Sequence, residues 1–155
     1  MACVLISKPA LAASTAPKHS VIVGIGNSMG WLGAQSERYF VRGHASGFIG
    51  LGYSLGLGEE SGVAVAAGVR LFTPGFRHRG FVELSLSQIA VEGVGSGEFV
   101  DRSRLYGPGL QVGYQRVSKS GLTLLLSAGL GRAVGPRVGN TIQPLLGLGV
   151  GYTWH

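Results

Sequence analysis

Ile142-Gln-Pro-Leu-Leu-Gly-Leu-Gly-Val-Gly-Tyr-Thr-Trp154 splits into two unlike faces when read at period two. One face carries Ile142, Pro144, Leu146, Leu148, Val150, Tyr152 and Trp154. The other carries Gln143, Leu145, Gly147, Gly149, Gly151 and Thr153. Successive side chains of a strand leave opposite sides, so this alternation predicts a strand. An apolar face that ends in two aromatics, backed by glycine and small polar groups, is unusual in water. It suits a wall with lipid on one side and a narrow barrel interior on the other.

The same split recurs outward along the chain. It predicts strands over about 19–27, 31–41, 47–57, 62–72, 80–91, 104–117, 121–132 and 142–154. In the third, Ile49, Leu51, Tyr53, Leu55 and Leu57 oppose Phe48, Gly50, Gly52, Ser54 and Gly56. In the sixth, Tyr106, Pro108, Leu110, Val112 and Tyr114 oppose Gly107, Gly109, Gln111, Gly113 and Gln115. The second segment is the least regular. Eight strands of this length match an even-numbered membrane barrel whose tilted strands cross with ~9–11 residues each. The expected fold is therefore all-β: an eight-stranded antiparallel up-and-down transmembrane β-barrel over residues 19–155. Residues 1–18 read as a truncated signal peptide or a disordered tail, from the small-residue stretch Ala10-Leu-Ala-Ala13.

Composition excludes the main alternatives. Glycine occupies 28 of 155 positions, and each would weaken a helix by roughly 1 kcal/mol relative to alanine. Charged residues are only 13% against 45% hydrophobic, which argues against disorder and against a fully wetted surface. No apolar run is long enough for a transmembrane helix. A lone cysteine, Cys3, permits no intramolecular disulfide. The net charge of +6 is spread over turns without an aromatic stacking platform, so nucleic acid is not an expected partner.

Turn lengths and charges order the two ends. Residues 42–46, 73–76 and 118–121 form short connections; 92–103 and 133–141 are longer and rich in glycine. Bacterial barrels keep short turns on the periplasmic side and long loops outside. That places both termini on the periplasmic rim and the loops near Met29, Glu59, Gly95 and Gly135 outside. Arg42, Arg77, Arg79, Arg116, Lys119 and Lys18 then fall on the periplasmic rim, with Glu59, Glu60, Glu92, Glu98 and Asp101 at the other end. Pro108 and Pro144 each remove a ladder donor, which a bulge near a strand end would absorb.

Arg70 and Glu83 stand out as candidate site residues. They are equally distant from the centre of the 73–80 turn and both lie on the glycine-and-polar face, so they should oppose each other inside the barrel. A charge in a narrow lumen requires a partner. Gln111 and Gln115 are expected to extend this polar network, together with Gln35, Glu37 and Tyr39. Its expected role is structural, a polar filling of the barrel. Tyr53, Tyr106, Tyr114, Tyr152 and Trp154 are expected to anchor the wall at the membrane interfaces. The four histidines, His19, His44, His78 and His155, sit on separate segments without metal-ligand spacing. No catalytic residue, metal or cofactor is expected.

Gly109-Leu-Gln-Val-Gly-Tyr-Gln-Arg116 and Leu146-Gly-Leu-Gly-Val-Gly-Tyr-Thr-Trp154 carry a resemblance. From His19 onward the chain resembles the eight-stranded outer-membrane β-barrel proteins of Gram-negative bacteria, the opacity-type and related small porin-like families. The resemblance implies a place in the bacterial outer membrane and a structural or surface-interaction role. It implies as partners the lipid bilayer and its lipopolysaccharide, the barrel-assembly machinery and an extracellular partner met by the loops. Family members generally end in an aromatic residue that looks like part of the assembly signal; here Trp154 is followed by His155. Three alternatives stay open. One is a narrow channel, favoured by the glycine-rich inner face. Another is a soluble barrel that binds an apolar ligand, which requires the Leu/Val/Tyr face to point inward. The last is an outer-membrane lipid hydrolase, since some small barrels deacylate lipid A. The inward register of Ser85, Ser87 and Ser127, far from every histidine, speaks against that last reading.

Overall fold

The computed structural model describes residues 16–54, 62–94, 101–133 and 142–155. Its strands are β1 (His19–Gly26), β2 (Trp31–Phe40), β3 (Ala45–Ser54), β4 (Gly62–Phe72), β5 (His78–Val94), β6 (Asp101–Val117), β7 (Leu122–Arg132) and β8 (Ile142–Trp154). Each pairs antiparallel with the next, and β8 pairs with β1, so the sheet closes on itself. The chain is thus an eight-stranded up-and-down barrel, and no α-helix occurs among the described residues. The fourth and eighth strands keep their expected bounds. The expected loop tips near Glu59, Gly95 and Gly135, and positions 55–57 of the third strand, lie outside the described residues.

Register fixes the shape of the barrel. A path that steps from each residue to its partner runs His19, Arg38, Gly47, Val69, Leu84, Leu110, Leu130, Pro144. His19 also pairs with Trp154, so the path returns to β8 ten residues before its starting level. A stagger of ten residues over eight strands tilts them by about 40° and gives a backbone radius of roughly 8 Å. Side chains can fill a tube of that width.

The two faces separate as the alternation requires. Val23, Leu51, Val65, Leu84, Val112, Leu126 and Leu148 all point outward and are exposed. Ser20, Gln35, Glu37, Arg70, Glu83, Gln111, Gln115 and Thr153 point inward and are buried. The barrel is inside-out relative to a protein folded in water, which hides its apolar side chains. The Leu/Val/Tyr face thus points away from the interior, opposite to what a soluble barrel holding an apolar ligand requires.

Other strand ends shift by one to three residues, and β5 and β6 run into the expected 92–103 loop, to Val94 and from Asp101. Two features depart further. The β1–β2 connection does not project beyond the wall. Asn27–Met29 forms a single 3-10 turn that folds into the lumen, and all three residues are buried. Glycine makes the space: a Cβ on Gly50 would lie 2.0 Å from the Ser28 carbonyl oxygen, and one on Gly52 2.0 Å from that of Met29. The chain regains the wall through two left-handed residues, Gly30 (φ 68°) and Trp31 (φ 75°). The second departure is β5, whose alternation begins at His78 rather than Gly80. Arg79 therefore points inward and is 1% exposed, not on the rim.

The prolines fall where a neighbouring strand has ended. Both are exposed on the outer face. Pro108 pairs with Leu86 on β5, whereas the ladder to β7 begins only at Gly109. Pro144 pairs with Leu130 on β7, whereas the ladder between β8 and β1 begins at Gly147. A register shift between Gln88 and Ala90 lies just above Pro108's partner. Each missing donor thus faces at most one ladder.

Candidate functional site

The interior at the level of β4 and β5 is organised by Arg70. It opposes Glu83, as the symmetric spacing about the 73–80 turn anticipates. Arg70 Nε donates to Glu83 Oε2 at 2.8 Å, and Nη2 lies 2.7 Å from the same oxygen. Nη2 also donates to Gln35 Oε1 at 3.1 Å. Nη1 lies 3.4 Å from Glu37 Oε1 but makes no hydrogen bond, so that contact is ionic only. Gln111 Nε2 donates to Glu83 Oε1 at 2.8 Å, and Ser127 Oγ donates to Gln111 at 3.1 Å. The guanidinium is bracketed by Phe48 and Phe81, 4.4 and 5.0 Å from the ring centroids. Aromatic faces stabilise a cation withheld from water.

Arg79 holds a second node. Its Nε donates to Gln115 Oε1 at 2.8 Å and its Nη1 to the Gly43 carbonyl at 3.0 Å. Its guanidinium lies over Phe72 and Tyr39, 3.9 and 4.7 Å from the centroids. Gln115 Nε2 donates to Tyr39 Oη at 3.0 Å, and Tyr39 Oη donates to Glu37 Oε2 at 2.8 Å. Ser20 and Ser46 donate their hydroxyls to the same carboxylate. Glu37 therefore links the two nodes. Two buried arginines face two buried carboxylates, so the layer is neutral as a whole. A neutral, mutually bonded set is what makes buried charge tolerable.

Of the expected network, Arg70, Glu83, Gln111, Gln35 and Glu37 meet around one guanidinium, while Gln115 and Tyr39 meet around the other. Arg79 and the aromatic bed of Phe48, Phe72 and Phe81 were not anticipated. Starting the fifth strand two residues earlier puts Arg79 in the inward register that Phe81 and Glu83 already share. Towards the opposite end the lumen is filled differently. Met29, Ile22 and Leu125 pack in one buried cluster with Tyr39, Phe72 and Phe81, and Ile89, Ala133 and Leu145 form another. Asn27 Nδ2 donates to the Gln88 carbonyl at 3.2 Å, which ties the inward turn to β5.

Tyr39→Phe tests the link between the nodes. It removes the donor to Glu37 and the acceptor for Gln115 while keeping the ring over which Arg79 lies. The expected loss is about 1–3 kcal/mol, the usual magnitude for a hydrogen bond to a buried charge. It is read as a lower midpoint in urea unfolding followed by Trp31 and Trp154 fluorescence.

The other expected positions are placed as follows. Tyr53 and Tyr106 lie outward near the end that also carries Trp31; Tyr114, Tyr152 and Trp154 lie outward towards the end with the termini. Tyr152 and Trp154 meet edge to face, 4.9 Å between centroids. His44 contacts Phe76, and His78 hydrogen-bonds Tyr114. The described residues hold no group of three His, Cys, Asp or Glu side chains placed to share a metal. Ser85, Ser87 and Ser127 are buried inside, whereas His19 and His78 are exposed at the far end.

No protein-family model, curated protein or solved structure matches the chain. The class is therefore defined by geometry: a small closed antiparallel β-barrel with a charged, filled interior and an apolar exterior.

Proposed function

We propose that the chain is a transmembrane barrel of the bacterial outer membrane with a structural or surface-interaction role. The observation that carries this reading is the inverted distribution of polarity. Arg70, Glu83 and their partners are sealed inside, while a belt rich in Leu, Val and Ile faces out, interrupted by small residues at Ser36, Gly47 and Ala67, with aromatics at both edges. In water such a belt would drive aggregation. In hydrocarbon it is the favoured surface, and closure of the sheet satisfies every strand edge. The bilayer and its lipopolysaccharide are the proposed surroundings. The barrel-assembly machinery is the proposed route of insertion, and the connections after β3, β5 and β7 are the proposed contact surface for an extracellular partner.

The filled interior favours this role over a channel. Two arginines, two glutamates and their amide partners span the lumen at one level, and the inward turn occupies the next. Among the described residues no nucleophile and base are brought together as a hydrolase needs: Ser85, Ser87 and Ser127 are buried inside, and His19 and His78 are exposed at the far end. Purified, refolded protein in planar bilayers should show no single-channel steps. Cleavage between β5 and β6, within residues 95–100, by protease added to intact cells would support the outward orientation; a cytosolic, detergent-independent protein would overturn the reading.

Val112→Arg provides a sharper test. Val112 is 62% exposed on the outer face between Val82 and Ala128. An arginine near the midplane of a lipid-facing wall costs about 2–4 kcal/mol. On a water-facing surface it would cost close to nothing. The expected result is a loss of that size in urea unfolding from phospholipid vesicles, and unchanged stability would count against the membrane.

A further inference from the structure

The outer wall carries a groove of about 840 Å³ that runs obliquely across the strands from β1 to β6. Its lining includes His19 and Arg38 at one end, Gly47 and Ala67 along the floor, and Leu86 and Pro108 at the other end. The groove follows two adjacent register rows. One is His19, Arg38, Gly47, Val69 and Leu84; the other is Ser36, Ile49, Ala67, Leu86 and Pro108. Ala67 lowers the wall where the neighbouring outward positions of β4 and β5 are larger aliphatic residues, and at Gly47 the Phe40 ring takes the place of a side chain, 3.4 Å from where a Cβ would lie, forming one apolar side of the groove.

The charged end is at odds with an apolar wall. Arg38 lies two residues above the end of β2, beside His19, the first residue of β1. Both side chains are exposed on the outer face, and neither forms an ion pair or hydrogen bond with a described residue. Lys18, Arg42, Arg77, Arg116 and Lys119 surround the same end; Glu37, next to Arg38, points into the lumen, and no acidic side chain is exposed there among the described residues. A guanidinium on the outer wall near the interface is well matched to a phosphate.

The dimensions fit one molecule. Five strand steps at ~4.8 Å span about 24 Å across the strands. With strands tilted by about 40°, that path climbs roughly 16 Å along the barrel axis, close to one leaflet of a ~30 Å hydrocarbon core. A cation at the headgroup level therefore opens onto an apolar trough that rises as far as a lipid tail reaches.

The geometry points to a seat for a single anionic glycerophospholipid, its phosphate on Arg38 with His19 beside it and one acyl chain laid along the Phe40 ring and over Ala67 towards Pro108. This inference rests on the membrane reading and names one lipid within it. It makes the periplasm-side leaflet the selective one, because the seat opens at the rim that carries the termini.

The test is native mass spectrometry of the full-length protein, folded in mild detergent with phosphatidylglycerol or with phosphatidylcholine. Wild type should retain one phosphatidylglycerol and little phosphatidylcholine. Arg38→Gln should lower the retained fraction by about tenfold, as loss of one charge-assisted contact would. Arg38→Lys should recover part of it. Ala67→Leu, which fills the trough and leaves the charge, should also lower it, and this variant carries the test if Arg38→Gln does not fold. Arg116→Gln, a rim cation away from the groove, should bind as wild type does. Equal retention of both lipids by wild type, or equal losses in Arg38→Gln and Arg116→Gln, would overturn the seat in favour of a diffuse basic rim. Retention unchanged by both Arg38→Gln and Ala67→Leu would overturn it as well. Failure of the membrane reading registers separately, as a protein that folds in water without detergent or lipid.

Discussion

Arg70→Met is expected to lower stability by about 3–5 kcal/mol, the magnitude for breaking a buried ion pair by removing one partner. Methionine is of comparable length and apolar, and the rings of Phe48 and Phe81 already line the space, so little of the loss comes from packing. Most of it comes from Glu83 and Glu37, two buried carboxylates that lose their shared cation. Glu37 keeps hydroxyl donors from Ser20, Tyr39 and Ser46. Glu83 keeps only the amide of Gln111 among the bonds described here. The double variant Arg70→Met/Glu83→Gln should therefore recover a good part of the loss, because it removes the worse-stranded charge. Urea unfolding in detergent micelles, followed by tryptophan fluorescence, measures both. A single variant as stable as wild type, or a double variant worse than the single, would show that the pair does not hold this layer together.

How far the sequence reached follows from what alternation can encode. Period-two patterning marks which residues share a face, so β4 and β8 are legible to the residue, and Arg70 opposite Glu83 follows from their symmetric distance to the 73–80 turn. Alternation says nothing about where a strand starts when its first residues are polar on both faces. Alternation therefore leaves His78-Arg79 in the turn and Arg79 on the rim, where the structure has both in β5. It is also silent about a connection that folds inward. Asn27-Ser-Met29 has the composition of an exposed loop. What seats it is the absence of side chains on Gly50 and Gly52, residues on a strand two removed. A glycine that faces a lumen looks the same in sequence whether it lines empty space or admits another segment's backbone. The outer groove was hidden for a related reason. Its rows run across strands, so Arg38, Gly47 and Ala67 become neighbours only once register is set.

Gly50→Val should expel the inward turn without opening the barrel. Its Cβ would lie 2.0 Å from the Ser28 carbonyl oxygen, which is backbone and cannot rotate aside. The turn must lift, and about 3 kcal/mol of overpacking shifts its equilibrium by on the order of 100-fold. Ser127 offers a reporter. It is 2% exposed, and its hydroxyl shares the surroundings of Gly147 with that of Ser28. In a Cys3→Ser, Ser127→Cys background, Gly50→Val should raise the rate of modification by a small water-soluble thiol reagent by that factor. Conductance should remain absent, because the turn is one of two seals. Below it the layer of Arg70, Arg79, Glu37 and Glu83 still closes the lumen, through bonds the turn does not share. Labelling unchanged from the Gly50 protein would mean that the turn's seat does not depend on the missing side chain. Single-channel steps in Gly50→Val would mean that the turn alone closes the lumen and that the charged layer passes water and ions. Gly50→Val combined with Arg70→Met then separates the two seals: if both close the barrel, conductance should appear only when both are lost.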